Sequence, residues 1–156
     1  LAGNESTKAS VRDAIRSGLP TLAECGGFIY LTESLTTANG KEFSMAGLIP
    51  GKVAMQEKLT ALGYREIFGR KGNFLIGENQ EAKGHEFHYS TFEENEEVQY
   101  AYEVKSRFSQ KQAGYLNENL VAGFTHFHFA SNPTLVGQWI EACVKQKQTK
   151  GVARHG

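Results

Sequence analysis

Residues 20–31 read PTLAECGGFIYL, and this stretch constrains the fold more than any other. A short extended run opening on Pro20 gives way to an apolar segment of helical spacing. The change falls on Cys25 and the pair Gly26–Gly27. Proline at position 20 suits the first residue of a strand, where no ladder hydrogen bond is lost. Beyond the glycines, Phe28, Leu31 and Leu35 recur on one helical face, thickened by Ile29 and Tyr30, so a helix is expected over GGFIYLTESL. A strand that passes into a helix with almost no loop needs a sharp turn, and glycine permits one.

The neighbouring segments place this joint in a wider pattern. Upstream, STKASVRDAIRSG predicts a helix, with Val11, Ala14, Ile15 and Leu19 at helical spacing and Gly18 as its stop. Downstream, Asn39–Gly40 is a tight-turn pair, and Pro50–Gly51 breaks SMAGLIPGKVAM. Residues 60–93 read as sheet punctuated by Gly63, Gly69, Gly72 and Gly77, and residues 97–108 alternate as a strand. GYLNENLVAGFTHFHFASNP reads as a hairpin turning at NEN. In PTLVGQWIEACVKQ, Leu135, Trp139, Ile140 and Cys143 form the stripe of an amphipathic helix. The order is helix, strand, helix, then mostly strands and a closing helix. It predicts one α/β layered domain with a mixed sheet over residues 1–144, and a polar, basic, disordered tail over 145–156. An α/β domain that opens on a helix, with no strand before it, also reads as a fragment.

Composition narrows the function classes. Lys plus Arg and Asp plus Glu are 17 each, so no net charge draws the chain to nucleic acid or an anionic membrane. No apolar run approaches the ~20 residues of a membrane-spanning helix, and LAGNESTKAS lacks the pattern of a signal peptide. With only Cys25 and Cys143, a reducing cytoplasm is expected.

Cys25 is then a thiol at a bend, either a nucleophile or a small packed hydrophobe. A free thiol, with a pKa of about 8.5, needs help to ionise at neutral pH. A helix starting at Gly26 or Gly27 would aim N–H groups at the sulfur, and the Gly26 N–H can meet a developing oxyanion. This is the logic of a nucleophile elbow. A histidine partner is expected, and apart from His155 in the tail the histidines come in two pairs, in GHEFHYS and THFHFAS. On strands, Glu86 and His88 share one face and His85 and Phe87 the other; His126 and His128 lie opposite Phe127 and Phe129. That pattern is a polar site wall backed by core. The spacing matches no closed zinc motif. GLIPGKV has three residues between its glycines and Val53 where a P-loop needs Ser or Thr, so no nucleotide site is expected in this chain.

Taken in order, AECGGFIYL, GLIPGKVAM, LGYRE, GHEFHYS and THFHFASNP resemble the glutaminase domain of cobyrinic acid a,c-diamide synthases. These belong to the cobyrinate and cobyrate synthase branch of the class I (triad) glutamine amidotransferase-like superfamily. The resemblance runs from about Leu1 to Cys143. It implies a flavodoxin-like layered fold whose first strand and glycine-rich loop precede Leu1. It also implies a C–N ligase that takes ammonia from glutamine and delivers it to an ATP-activated carboxylate of a tetrapyrrole in cobalamin biosynthesis. Cys25 matches the family's nucleophile and His126 its catalytic histidine. The family's usual glutamate, two residues after that histidine, is His128 here, and Glu86 stands as the candidate third member. Gly26, Gly27, His85, His88 and His128 would line the glutamine and oxyanion site. ATP and Mg2+ would belong to an N-terminal synthetase domain. Without the loop before Leu1, one oxyanion donor would be missing and the isolated chain weakly active or inactive, since such a loss costs about a hundredfold or more. Nickel sirohydrochlorin amidation, cobyric acid synthesis and a non-catalytic docking module are the competing functions.

Overall fold

The computed structural model describes residues 3–153. Helix α1 (Glu5–Arg16) opens on Asn4, whose side chain accepts the Thr7 N–H at 3.0 Å, with Glu5 in its first turn and Arg16 in its last. Both charges oppose the helix dipole, and the cap satisfies an otherwise free donor. Strand β1 (Thr21–Glu24) runs into α2 (Gly26–Leu31), as expected from the sequence.

The expected helix through TESL is not formed. α2 stops at Leu31, and Thr32–Thr36 is strand β2. The Thr32 hydroxyl donates to the Ile29 carbonyl at 2.7 Å, and Thr32 itself is extended. Leu35, which completes the helical face on paper, pairs instead with Phe43 and Val53 across the sheet. Spacing of seven from Phe28 fits both a helix and a later strand; strand pairing wins because it buries Thr32 and Ser34 beside β4 (Ile49–Met55).

The fold is α/β with mixed sheets, as expected, but the strands divide between two sheets. The four-stranded sheet has the order β3 (Glu42–Ser44), β2, β4, β7 (Ser90–Glu94), with β2 and β4 parallel. The GKV of GLIPGKV lies within β4. The seven-stranded sheet has the order β1, β10 (Leu120–Gly123), β9 (Gln110–Asn117), β8 (Tyr100–Lys105), β5 (Ala61–Gly69), β6 (Glu81–His88), β11 (His126–His128), with β1 and β10 parallel. Tyr89 alone separates β6 from β7, so the chain crosses between sheets at GHEFHYS.

Around β1 and β10 the large sheet is covered on both faces. Val121, Leu116, Ile67 and Tyr102 pack on one side, while Leu120, Ala122, Ala23 and Ile15 of α1 pack on the other. This double burial makes LVAG of β10 apolar or glycine at every position. The sheet also curls. Tyr102 of β8 meets the ring of Phe127 on β11 edge to face at 5.4 Å, and the Phe127 N–H donates to the Glu24 carboxylate at the end of β1. The two edge strands thus face each other.

The NEN hairpin joins β9 to β10, with Glu118 at φ +40°, but THFHF leaves it to pair with β6. Helix α3 (Thr134–Ala153) departs from expectation twice. Its stripe is not buried throughout: Leu135 is fully buried and Trp139 stacks on Phe129, yet Ile140 is 58% exposed and Cys143 lies on the surface. The helix is anchored at its far end by polar bonds instead, from Gln146 and Lys150 to Ser17. Those bonds carry it through the expected disordered tail as far as Ala153. Residues 154–156, His155 included, lie outside the described residues.

Candidate active site

Cys25 leaves β1 with φ +46° and ψ −103°, a conformation costing about 1–3 kcal/mol for a residue with a Cβ. Its N–H bonds the Gly123 carbonyl at 2.8 Å, so the last rung of the β1–β10 ladder holds the strain in place. The turn is made by the cysteine, not by its glycines. Neither glycine has a positive φ, and a Cβ on Gly26 would meet nothing within 4 Å. What Gly26 and Gly27 supply is exposed, uncrowded backbone beside the sulfur. The helix that follows has only six residues. Its macrodipole is correspondingly small.

His126 opens β11 opposite His85 of β6, and its side chain is 47% exposed. Its Nδ1 lies 3.5 Å from Oε2 of Glu24. The other oxygen of the same carboxylate accepts the Phe127 N–H at 2.8 Å. Glu24 is the residue immediately before Cys25, so one side chain ties the bend to the histidine strand. Sequence reasoning missed it. The signal was visible, an acid closing a short strand directly before the candidate nucleophile. Strand alternation points adjacent side chains apart, however, and that rule lapses where Cys25 departs from strand geometry.

Glu86 is elsewhere. It is 2% exposed on the face of β6 opposite His85, and therefore opposite His126. Arg65 grips its Oε2 through Nε and Nη2, both at 2.9 Å, and the Thr125 hydroxyl donates to its Oε1 at 2.7 Å. The structure gives Glu86 no contact with His126. Its acceptors are already taken by a guanidinium and a hydroxyl, as burial of a carboxylate demands.

The remaining candidates separate by face. His88 is buried, its ring stacked on Phe124 at 4.0 Å and 12°, with Nδ1 2.9 Å from the Ser90 carbonyl oxygen. Nδ1 therefore carries the proton. Burial pushes the His88 pKa down, against smaller opposing effects of the Ser90 carbonyl and Glu86. His85 sits beside His126 with Tyr64 at its edge, and His128 is exposed opposite Lys83. Among the described residues no three His, Cys, Asp or Glu side chains converge as metal ligands. A cavity of about 310 Å³, lined by Glu86, His88, Phe28, Phe92 and Phe124, opens on the buried side of β6.

Residues 1–134 match the model of the CobB/CobQ-like glutamine amidotransferase domain. A cobyrinate a,c-diamide synthase of Priestia megaterium is 52% identical over 150 residues, which cover 96% of this chain and 33% of that protein. One of Thermoplasma volcanium is 34% identical over 153 residues, covering 98% and 34% respectively. The chain thus spans about a third of the length of these relatives. A glutamine amidotransferase structure from Thermotoga maritima aligns over 97% of this chain and 61% of its own with a TM-score of 0.50 at 15% identity, a likeness of fold.

Proposed function

Since this chain belongs to the CobB/CobQ-like glutamine amidotransferase domains, we propose that it releases ammonia from glutamine at Cys25 and supplies it for a,c-diamidation of cobyrinate. The observation that carries this is the pairing of a strained cysteine with a histidine strand through the intervening Glu24. Glu24 faces Nδ1 of His126, which leaves Nε2 as the nitrogen that works. Nε2 takes the proton of the Cys25 thiol as the sulfur attacks the side-chain amide carbon of glutamine. The same proton passes to the departing nitrogen, which leaves as ammonia, and a γ-glutamyl thioester remains. Nε2 then accepts a proton from the water that attacks the thioester. Collapse of that intermediate frees glutamate and returns the proton to sulfur. Glu24 orients the imidazole throughout. The uncrowded backbone of Gly26 and Gly27 fits close approach of the developing oxyanion.

ATP and Mg2+, which would activate the acceptor carboxylates, belong in this proposal to the part of the full-length enzyme that the relatives carry beyond this domain. A cytosolic setting suits a nucleophile that works only as a thiol. The test uses the full-length protein with ATP, Mg2+ and cobyrinate. Cys25→Ser should abolish amidation driven by glutamine and leave amidation driven by added ammonia. A glutamine-analogue alkylator should label Cys25 far faster than the exposed Cys143. Equal, slow labelling of both would overturn the hydrolytic role.

A further inference from the structure

The face of β6 turned away from His126 makes an ordered set of contacts. Gly84, Glu86 and His88 alternate along that face. They meet, one for one and in reverse order, Phe124, Thr125 and His126, the run that enters and opens β11. A Cβ on Gly84 would fall 2.5 Å from the His126 carbonyl oxygen and 2.9 Å from Cγ2 of Thr125, so only glycine admits the strand this closely. Glu86 accepts the Thr125 hydroxyl. His88 lies flat on the Phe124 ring. Behind them Arg65 anchors Glu86 with two nitrogens, and the Ser90 carbonyl anchors the His88 ring. The backbone of His85, between these positions, pairs with His126 itself.

We infer that Gly84, Glu86, His88 and Thr125 form a cradle that positions the His126 imidazole, so that Glu86 acts on the reaction through Thr125 and not by touching substrate. This rests on His126 being the base proposed above. Three features distinguish the cradle from ordinary core packing. Its contacts fall on consecutive residues 124, 125 and 126. They are of three kinds, close backbone approach, hydrogen bond and ring stack, which together fix translation and rotation of a short strand. Their central member is a saturated buried carboxylate, whose geometry two guanidinium nitrogens dictate. β11 has only three residues, and its own ladder cannot hold the imidazole to the few tenths of an ångström that proton transfer to sulfur requires.

The variant that isolates the cradle is Thr125→Val, which removes the hydroxyl, keeps the shape and leaves the Arg65–Glu86 pair intact. In the full-length protein it should lower kcat for glutamine hydrolysis about tenfold or more with KM little changed, because misplaced groups lose transition-state geometry before ground-state binding. Thr125→Ser, which restores the hydroxyl, should recover most of kcat. Unchanged kcat in Thr125→Val, a change in KM alone, or an equal loss in Val and Ser would each overturn the inference. Failure of the hydrolytic role would appear separately, as no preferential labelling of Cys25 in the unmutated protein. The cradle would then still be tested by NMR of the His126 ring. Its signals should be single in the unmutated protein and in Thr125→Ser, and broadened or doubled in Thr125→Val; identical spectra would overturn it.

Discussion

The two faces of β6 carry the same kinds of residue to different ends. On the outer face His85 stands beside His126, with Tyr64, Phe87 and Leu62 exposed around them. On the inner face Glu86 and His88 are buried, bonded and stacked. An imidazole that must exchange protons needs access to solvent and substrate, and the outer face provides it. A carboxylate that must not move needs its lone pairs filled, and the inner face provides that. One residue apart in sequence is enough to separate the tasks, because strand alternation makes the sheet itself the partition.

The widest separation between the faces should come from His126→Ala, which is expected to lower glutamine-dependent activity by about a thousandfold. Ammonia-dependent activity would be spared, and folding should be nearly untouched at so exposed a site. Steady-state kinetics with both nitrogen donors would read this, and a loss below tenfold would move the base elsewhere. Glu86→Gln should show the reverse emphasis, with a stability loss of about 3 kcal/mol in urea denaturation, since it leaves the Arg65 guanidinium buried without its charge partner. If Glu86→Gln unfolds no more easily than the unmutated protein, the inner face is not the structural one. Gly84→Ala belongs to the same face at a smaller cost, about 1–3 kcal/mol, because the atom it would strike is a backbone oxygen that cannot swing aside.

A weaker effect follows from protonation. His88 has its pKa held below its ordinary value of 6.5 chiefly by burial, with Glu86 opposing and Lys111 and Arg65 assisting. The native state therefore binds fewer protons than the unfolded chain below pH 6.5. Stability is fully present above that pH and falls as acid is added down through the folded-state value. Thermal melts between pH 7 and pH 5 should lose less in His88→Phe than in the unmutated protein; parallel curves would show that His88 is not the group concerned. The smallest effect is expected of His128→Asn. His128 is exposed, and the structure gives its imidazole no partner among the described residues, so its stability should stay within about 0.5 kcal/mol. A large fall in activity would bring the outer surface beyond His126 into the site.

Much of this was legible in the residues. The strand-to-helix joint at Cys25, the alternation of Glu86 and His88 against His85 and Phe87, and the turn at NEN all follow from local pattern. Local pattern failed where two templates fit one segment, as at Leu35, and where polar bonds replaced an apolar stripe, as on the far half of α3. It also failed at Glu86. A conspicuous acid near candidate histidines suggested a catalytic partner, whereas β11 docks on the edge of β6 in a register that leaves His126 on the other face.

By itself, the sequence determined which side chains share a strand face and where the chain must bend, because those depend on spacing and on backbone sterics within a few residues. The tertiary structure alone brought Glu24 to His126. Its contact with the Phe127 N–H joins residues 103 apart in sequence and requires the large sheet to curl until its edge strands meet. Curvature of that kind is a collective property of seven strands and their packing, with Tyr102 reaching Phe127 inside the curl, and no short run of residues encodes it.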